Sequence, residues 1–233
     1  MTKLAALTWP EVARRTHGER VLAVPLGATE QHGPHLPLST DTDIAVALAE
    51  RLAQQIPGVL VAPPMAFGSS GEHQAFAGTL SIGQQAVELL LVELVRSACA
   101  TFSRVVLVSA HGGNAQPLAR AVRRMRHEGR DVLAWSPRWD GDAHAGRTET
   151  SVMLALAPDR VRLEHAEAGN TTPIKALLPQ LRADGLQAVT ANGVLGDPAG
   201  AGAEEGRALL RRATAELAAL VSGGTRPRAA ERH

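Results

Sequence analysis

The chain is short of everything that would cross-link it or anchor it. Its 233 residues include one cysteine, which excludes an intrachain disulfide, and neither a CxxC nor an HExxH pattern occurs. Tyrosine is absent and aromatic residues make up only 3%, so Leu, Val and Ala must fill the core. No apolar run approaches the roughly 18 residues that a membrane span needs. The run in MTKLAALTWPEV is also too short for a secretory h-region, and the expectation is a cytoplasmic protein with no membrane partner. Formal net charge is +1, and the basic residues are scattered apart from RRMRHEGR at 123–130. A continuous basic stripe for a nucleic-acid backbone is missing, so nucleic acid is not an expected partner.

What is present is the composition of a folded protein, 45% apolar and 20% charged, which excludes a largely disordered chain. A chain of this length buries about three quarters of its unfolded surface. No linker divides it, so residues 1–222 read as one domain and residues 223–233, which lack apolar periodicity, as a frayed end. TWPEVARRT (8–16) reads as a first helix capped by Thr8 with Pro10 in its first turn. VLAVPL (21–26) reads as a buried strand, and DIAVALAERLAQQI (43–56) as a helix stopped by Pro57. VLVAPPM (59–65) is a second strand, followed by the loop FGSSGEHQAFAGT and a long helix over 84–102, where Cys99 reads as a small buried apolar residue.

RVVLVSA (104–110) is the third strand; HGGN, a basic amphipathic helix ending at Gly129 and the fourth strand DVLAWS (131–136) follow. A polar loop then leads to the helix TSVMLALA (150–157), stopped by Pro158; beyond it only a helix from about 204 to 221 is legible. Strands that are apolar throughout and alternate with helices indicate an α/β fold with a mostly parallel central sheet covered on both faces. In such sheets ligands bind outside the carboxyl ends of the strands. That is where the ligand-type residues fall: Glu30, His32 and Asp41 follow the first strand, His111 the third, His144 and Glu149 the fourth.

In an extended segment, residues two apart point the same way, so Glu30 and His32 can meet at one point while Gln31 turns aside. His35 lies at an odd offset, and Gly33 and Pro34 bend the loop. Asp41 is a candidate ligand but could equally cap the helix behind it, unless Thr42 or Asp43 does so. In SAHGGN, two glycines would let the backbone approach a ligand closely, a metal or a phosphate, and Asn114 is available as a helix cap. Glu149 is a candidate ligand or a solvated first-turn carboxylate. Glu72 and His73 are substrate-contacting groups or a plain loop pair. Trp135 and Trp139 line a pocket or merely pack. His17, His127, His165 and His233 receive no function. A carboxylate and histidine set without cysteine suits Zn, Mn or Fe(II), and a pair of ions would bring water's acidity near neutral and polarise a carbonyl, the chemistry of amide hydrolysis.

GATEQHGPHLPLSTD, SGEHQAFAGTLSIG, HGGN and DAHAGRTETS together resemble the creatininase (creatinine amidohydrolase) family, four separated blocks in the family's order across about residues 20–165. Within it the likeness is to the mycofactocin-system branch, peptidases that trim a modified precursor peptide by releasing its C-terminal Val-Tyr dipeptide. The resemblance implies a three-layer α/β/α, creatininase-like homo-oligomer, two divalent metal ions (Zn, Fe(II) or Mn) and a modified peptide substrate. Carried over by position, Glu30 and His111 would hold one ion, His32 the other, and Asp41 would bridge both, while His144 would pass a proton to the leaving nitrogen. One position departs from the pattern: creatininase proper has a carboxylate where this chain has Gly113. The second ion then needs another acid, for which Glu149 is the candidate, and creatinine is disfavoured as substrate. Hydrolysis of a cyclic amide or formamide is the alternative within the family, and a non-catalytic α/β binding module the alternative outside it.

Overall fold

The computed structural model describes residues 3–15 and 20–223; His17, His233 and all of the expected tail 223–233 except Gly223 lie outside the described residues. Its middle layer is a parallel sheet of β1 (Val21–Leu26), β2 (Val59–Val61), β3 (Arg104–Ser109) and β4 (Val132–Trp135) in the order β2-β1-β3-β4. Leu26 lies opposite Ser109, and Val108 opposite Trp135, so the carboxyl ends of β1, β3 and β4 come out along one edge. The chain winds outward from β1 to β2 and then from β3 to β4 on the other side. The reversal falls between β1 and β3, the place where open α/β sheets leave a crevice for a ligand.

Successive strand residues face opposite sides of a sheet, and here each side has its own core. Val21, Ala23, Val106 and Val108 join α2 (Thr40–Gln55), α5 (Arg147–Leu156) and α7 (Ala203–Gly223) through Leu48, Leu52, Met153, Leu210 and Leu217. Leu22, Val24, Leu26, Val105 and Leu107 join α3 (Gly83–Ala98) and α4 (Ala115–His127) through Leu91, Val95, Leu118 and Met125. That is the expected layering, helices on both sides of a parallel sheet. Pro25 is tolerated in a central strand because its nitrogen faces the β2 side beyond Val61, where the ladder has already ended; its carbonyl, on the same side, accepts from Met65 N–H.

Several boundaries differ from the sequence reading, each for a local reason. Both α2 and α5 begin three residues earlier than expected, because Thr40, Asp41 and Thr42, and likewise Thr148 and Glu149, are polar yet buried. A helix start placed at the first apolar residue misses a polar first turn that faces inward. β2 stops at Val61 since Pro63 and Pro64 cannot donate to a ladder, and α3 stops at Ala98, leaving Cys99 partly buried against the α3–α4 side. The first helix, α1 (Trp9–Arg15), starts as expected, but its end contact is reversed: the Thr8 N–H and hydroxyl both donate to Glu11, each at 2.7 Å. α6 (Ile174–Asp184) was illegible because Pro179 sits inside it.

Candidate active site at the carboxyl edge of the sheet

The four loops leaving the sheet edge deliver Glu30, His32, Asp41, His73, His111, His144 and Glu149 to one buried cluster. Their ligand-type atoms fall into three trios, each within 4.8 Å: Glu30, Asp41 and His111; His32, His144 and Glu149; and Glu30, His73 and His144. The trios share members, so this is a single site.

Hydrogen bonds fix which face each imidazole presents, because a carbonyl only accepts. His32 donates from Nδ1 to the Glu30 carbonyl at 3.1 Å, which turns Nε2 toward Asp41 Oδ1 at 3.3 Å and Glu149 Oε2 at 3.9 Å. His111 donates from Nε2 to the Ser69 carbonyl at 3.0 Å and turns Nδ1 toward Glu30 Oε2 at 3.3 Å and Asp41 Oδ2 at 3.2 Å. His144 donates from Nε2 to the Gln31 carbonyl at 2.9 Å, leaving Nδ1 on the side of Glu30 Oε1, 4.0 Å away. Tying one ring nitrogen to a carbonyl so that the other points inward is how metal-ligating histidines are held.

Gln31, which the sequence reading set aside, is part of this arrangement. Its side chain does turn away from Glu30 and His32, yet it lands behind two other histidines. The amide oxygen accepts from Gly33 N–H at 2.8 Å and the amide nitrogen donates to the Gly193 carbonyl at 3.1 Å. With the amide so oriented, its other hydrogen goes to His73 Nδ1 at 3.1 Å; the hydrogen of His73 then sits on Nε2, facing Glu30 Oε1 at 3.5 Å. This makes His73 a donor toward Glu30 and the trio containing it the least suited to an ion. The odd spacing of His35 matches its place outside the cluster, where Nε2 bonds the Thr150 hydroxyl at 2.8 Å.

Electrostatics follow from putting Glu30, Asp41 and Glu149 out of water beside imidazoles. Burial by itself would lower the pKa of His32, but Asp41, Glu149 and Glu30 raise it to about 10. Burial likewise opposes protonation of His111, and Glu30 and Asp41 override it and carry the pKa well above the usual range. Asp41 is held below its ordinary value: burial acts against this, and His32 and His111 outweigh it. Glu149 behaves oppositely, pushed up to about 7 chiefly by burial, with Asp41 and Glu30 adding to it. His144 is kept well below the ordinary value by burial and by His32 and His73. Glu30 Oε2 and Asp41 Oδ2 are buried without any hydrogen bond. Buried oxygens normally have a partner, and two anionic oxygens that lack one, converging on one imidazole nitrogen, fit a cation.

Asp41 is not a cap: it lies in the first turn of α2, while Ser39 at the N-cap donates its hydroxyl to Asp43 at 2.8 Å. Glu149 is not solvated, since its Oε2 accepts from Ala145 N–H at 2.6 Å inside the protein. Asn114 does not cap α4; its side chain accepts from Ser69 N–H at 3.0 Å and donates to the Gly27 carbonyl at 3.1 Å, which fastens three loops together. Gly113 is needed against the protein itself, because a Cβ there would stand 2.2 Å from the Ser69 carbonyl, 2.4 Å from His111 Nε2 and 2.8 Å from Glu72 Oε1. Gly112, by contrast, has open space beside it. A cavity of about 690 Å³ opens against Glu30, His111 and His144, and Glu72, His73 and Gly112 line it. Trp135 does not line that cavity: it is part-buried and packs with Trp139 against the core on the α2–α5–α7 side.

The sequence profile of the family described as creatininase, creatinine amidohydrolase, matches residues 5–221. The chain belongs to the creatininase family. It is 51% identical over 210 residues to the mycofactocin precursor peptide peptidase of Mycobacterium ulcerans (strain Agy99), covering 86% of this chain and 80% of that protein. Among solved structures it is similar to a creatininase titled as the Mn form, with TM-score 0.83 and 28% identity over 97% of this chain and 99% of that one. A mutant creatininase of Zn–Zn type has TM-score 0.81 and 28% identity, again over 97% and 99%. Creatininase-family membership accounts for the four sequence blocks, and all four contribute to the buried cluster or to the cavity beside it.

Proposed function

We propose that this protein is a metal-dependent peptidase that releases the C-terminal Val-Tyr dipeptide from the modified mycofactocin precursor peptide. It is a hydrolase of C–N amide bonds, and in this reading it works in the cytoplasm as a homo-oligomer of single-domain subunits. The observation that carries the reading is the pair of buried, unpartnered carboxylate oxygens of Glu30 and Asp41 facing His111 Nδ1. Glu30, Asp41 and His111 would hold one divalent ion; His32, Asp41 and Glu149 would hold the other. Asp41 would serve both, since its oxygens are divided, Oδ1 toward His32 and Oδ2 toward His111. When bound, the ions supply polarisation of the scissile carbonyl and bring the acidity of water near neutral pH.

The residues of the chain do the rest. His144 has its Nε2–H committed to the Gln31 carbonyl, so Nδ1 is the atom that takes up a proton and delivers it to the leaving nitrogen. Its depressed pKa keeps the ring neutral at physiological pH. His73 donates toward Glu30 and helps fix the orientation of that carboxylate. The cavity of about 690 Å³ has room for a peptide terminus rather than only a small ring.

Incubation of a peptide ending in Val-Tyr with purified protein, followed by mass spectrometry, should show loss of the dipeptide. Chelation should stop the loss, and Mn, Zn or Fe(II) should restore it. Full turnover by stripped protein, or hydrolysis of a formamide with no dipeptide release, would overturn the assignment.

A further inference from the structure

We propose that the α6 wall of the cavity is a subsite for a free C-terminal carboxylate, with Arg182 as its counter-ion; the proposal rests on the peptidase reading and deepens it. The cavity has two ends of different chemistry. At one end lie Glu30, His111 and His144 of the buried cluster; along its side runs one face of α6, formed by Ile174, Leu178, Leu181 and Arg182. These positions are spaced by four, seven and eight residues from the first, the spacing of a single helical stripe. The stripe is apolar for two turns and ends in a cation. Beneath it Leu177 packs with Leu186, Val189 and Leu195, which fixes the helix against the loops carrying His73 and His144.

Charge makes the assignment directional. Among the described residues, Arg182 is the only Lys or Arg on the cavity wall, where Glu30, Glu72 and Asp184 supply carboxylates. It is exposed and, among the described residues, has no ion-pair or hydrogen-bond partner, whereas Arg96, Arg120, Arg147 and Arg160 each hold a carboxylate. A guanidinium presents two parallel N–H groups that match a carboxylate. Arg182 draws an anionic peptide terminus to the α6 wall, so the chain enters with its carboxylate there and an upstream amide at the cluster. Each extended residue spans about 3.3–3.6 Å, and a dipeptide leaving group thus puts its carboxylate about 7 Å beyond the scissile carbonyl. Leu178 and Leu181 are placed to meet the side chains in between. The ligand class is a peptide end with a free α-carboxylate and apolar or aromatic final residues.

The test compares two peptides of one sequence, one a free acid and one a C-terminal carboxamide, on metal-loaded wild type, Arg182→Gln and Arg182→Lys. Wild type should favour the free acid by about tenfold in kcat/KM, carried by KM, the scale of one charge-assisted contact at a partly exposed site. Arg182→Gln should erase that preference while kcat and the carboxamide rate stay within about twofold, and Arg182→Lys should recover part of it. Equal cleavage of both peptides by wild type, or an equal fall on both in Arg182→Gln, overturns the subsite and leaves the peptidase standing. Release of no dipeptide from either peptide overturns the peptidase reading and the subsite with it.

Discussion

At the Glu30–Asp41–His111 end of the cluster, two carboxylate oxygens lie buried with no hydrogen-bond donor. At the His32–His144–Glu149 end, every group that faces inward is also tied outward, to the Glu30 carbonyl, the Gln31 carbonyl and the Ala145 N–H. The first end presents two carboxylate oxygens without a hydrogen-bond partner beside one imidazole nitrogen and suits a firmly held cation. The second end has its protons in adjustable places, with one imidazole driven up, one driven down and a carboxyl near 7. A site for amide hydrolysis needs both properties, and here they occupy opposite sides of Asp41.

Asp41→Asn tests the comparison hardest, because Asp41 belongs to both ends. Activity should fall at least about a thousandfold and both ions should be lost in elemental analysis, in line with the several kcal/mol a catalytic ion contributes. Loss of only one ion would mean that the ends are independent. His144→Gln should lower kcat by about 10²–10³-fold while the ion beside His111 is retained; loss of that ion instead would show that the division into two ends is false. Gln31→Leu removes the amide behind His73 but leaves the Gln31 carbonyl, and should cost about tenfold in activity, as contacts behind metal sites do.

The smallest effect concerns stability, and its sign differs between the ends. Glu149 has its folded pKa raised to about 7 from 4.5, so its contribution is fully present below pH 4.5 and is lost as pH rises through 7. Asp41 is lowered from 3.8, so its contribution is present above that value and is lost as pH falls. In chelated protein, Glu149→Gln should therefore flatten the decline in melting stability between pH 5 and 8 by about 1–3 kcal/mol and leave the acid limb alone. A change in the acid limb instead would put the two carboxylates in one titration.

Much of this was legible in the sequence because two periodicities carry it. Unbroken apolar strands between helices specify a covered parallel sheet, and the rule about carboxyl ends turned scattered Glu, Asp and His residues into one site. Residues whose meaning depends on a partner far along the chain were not legible. Gln31 gives no local sign that it will meet His73 and Gly193, and Asn114 resembles a cap until Ser69 and Gly27 are seen beside it. The early starts of α2 and α5 were hidden for the same reason: buried polar residues look like loop in a pattern read from hydrophobicity. Family likeness supplied the grouping of ligands, and only packing supplied the tautomers.

Gly113 also bears on how neighbouring specificities can interconvert. A carboxylate set back at that position would have to occupy space held by the Ser69 backbone and the His111 ring, so a point substitution toward creatinine chemistry would wreck the histidine before it gained an acid. Passage between the two kinds of catalyst requires the strand-end turn and the serine loop to shift in concert, which is a barrier to drift and a warning to anyone redesigning one into the other by swapping side chains alone.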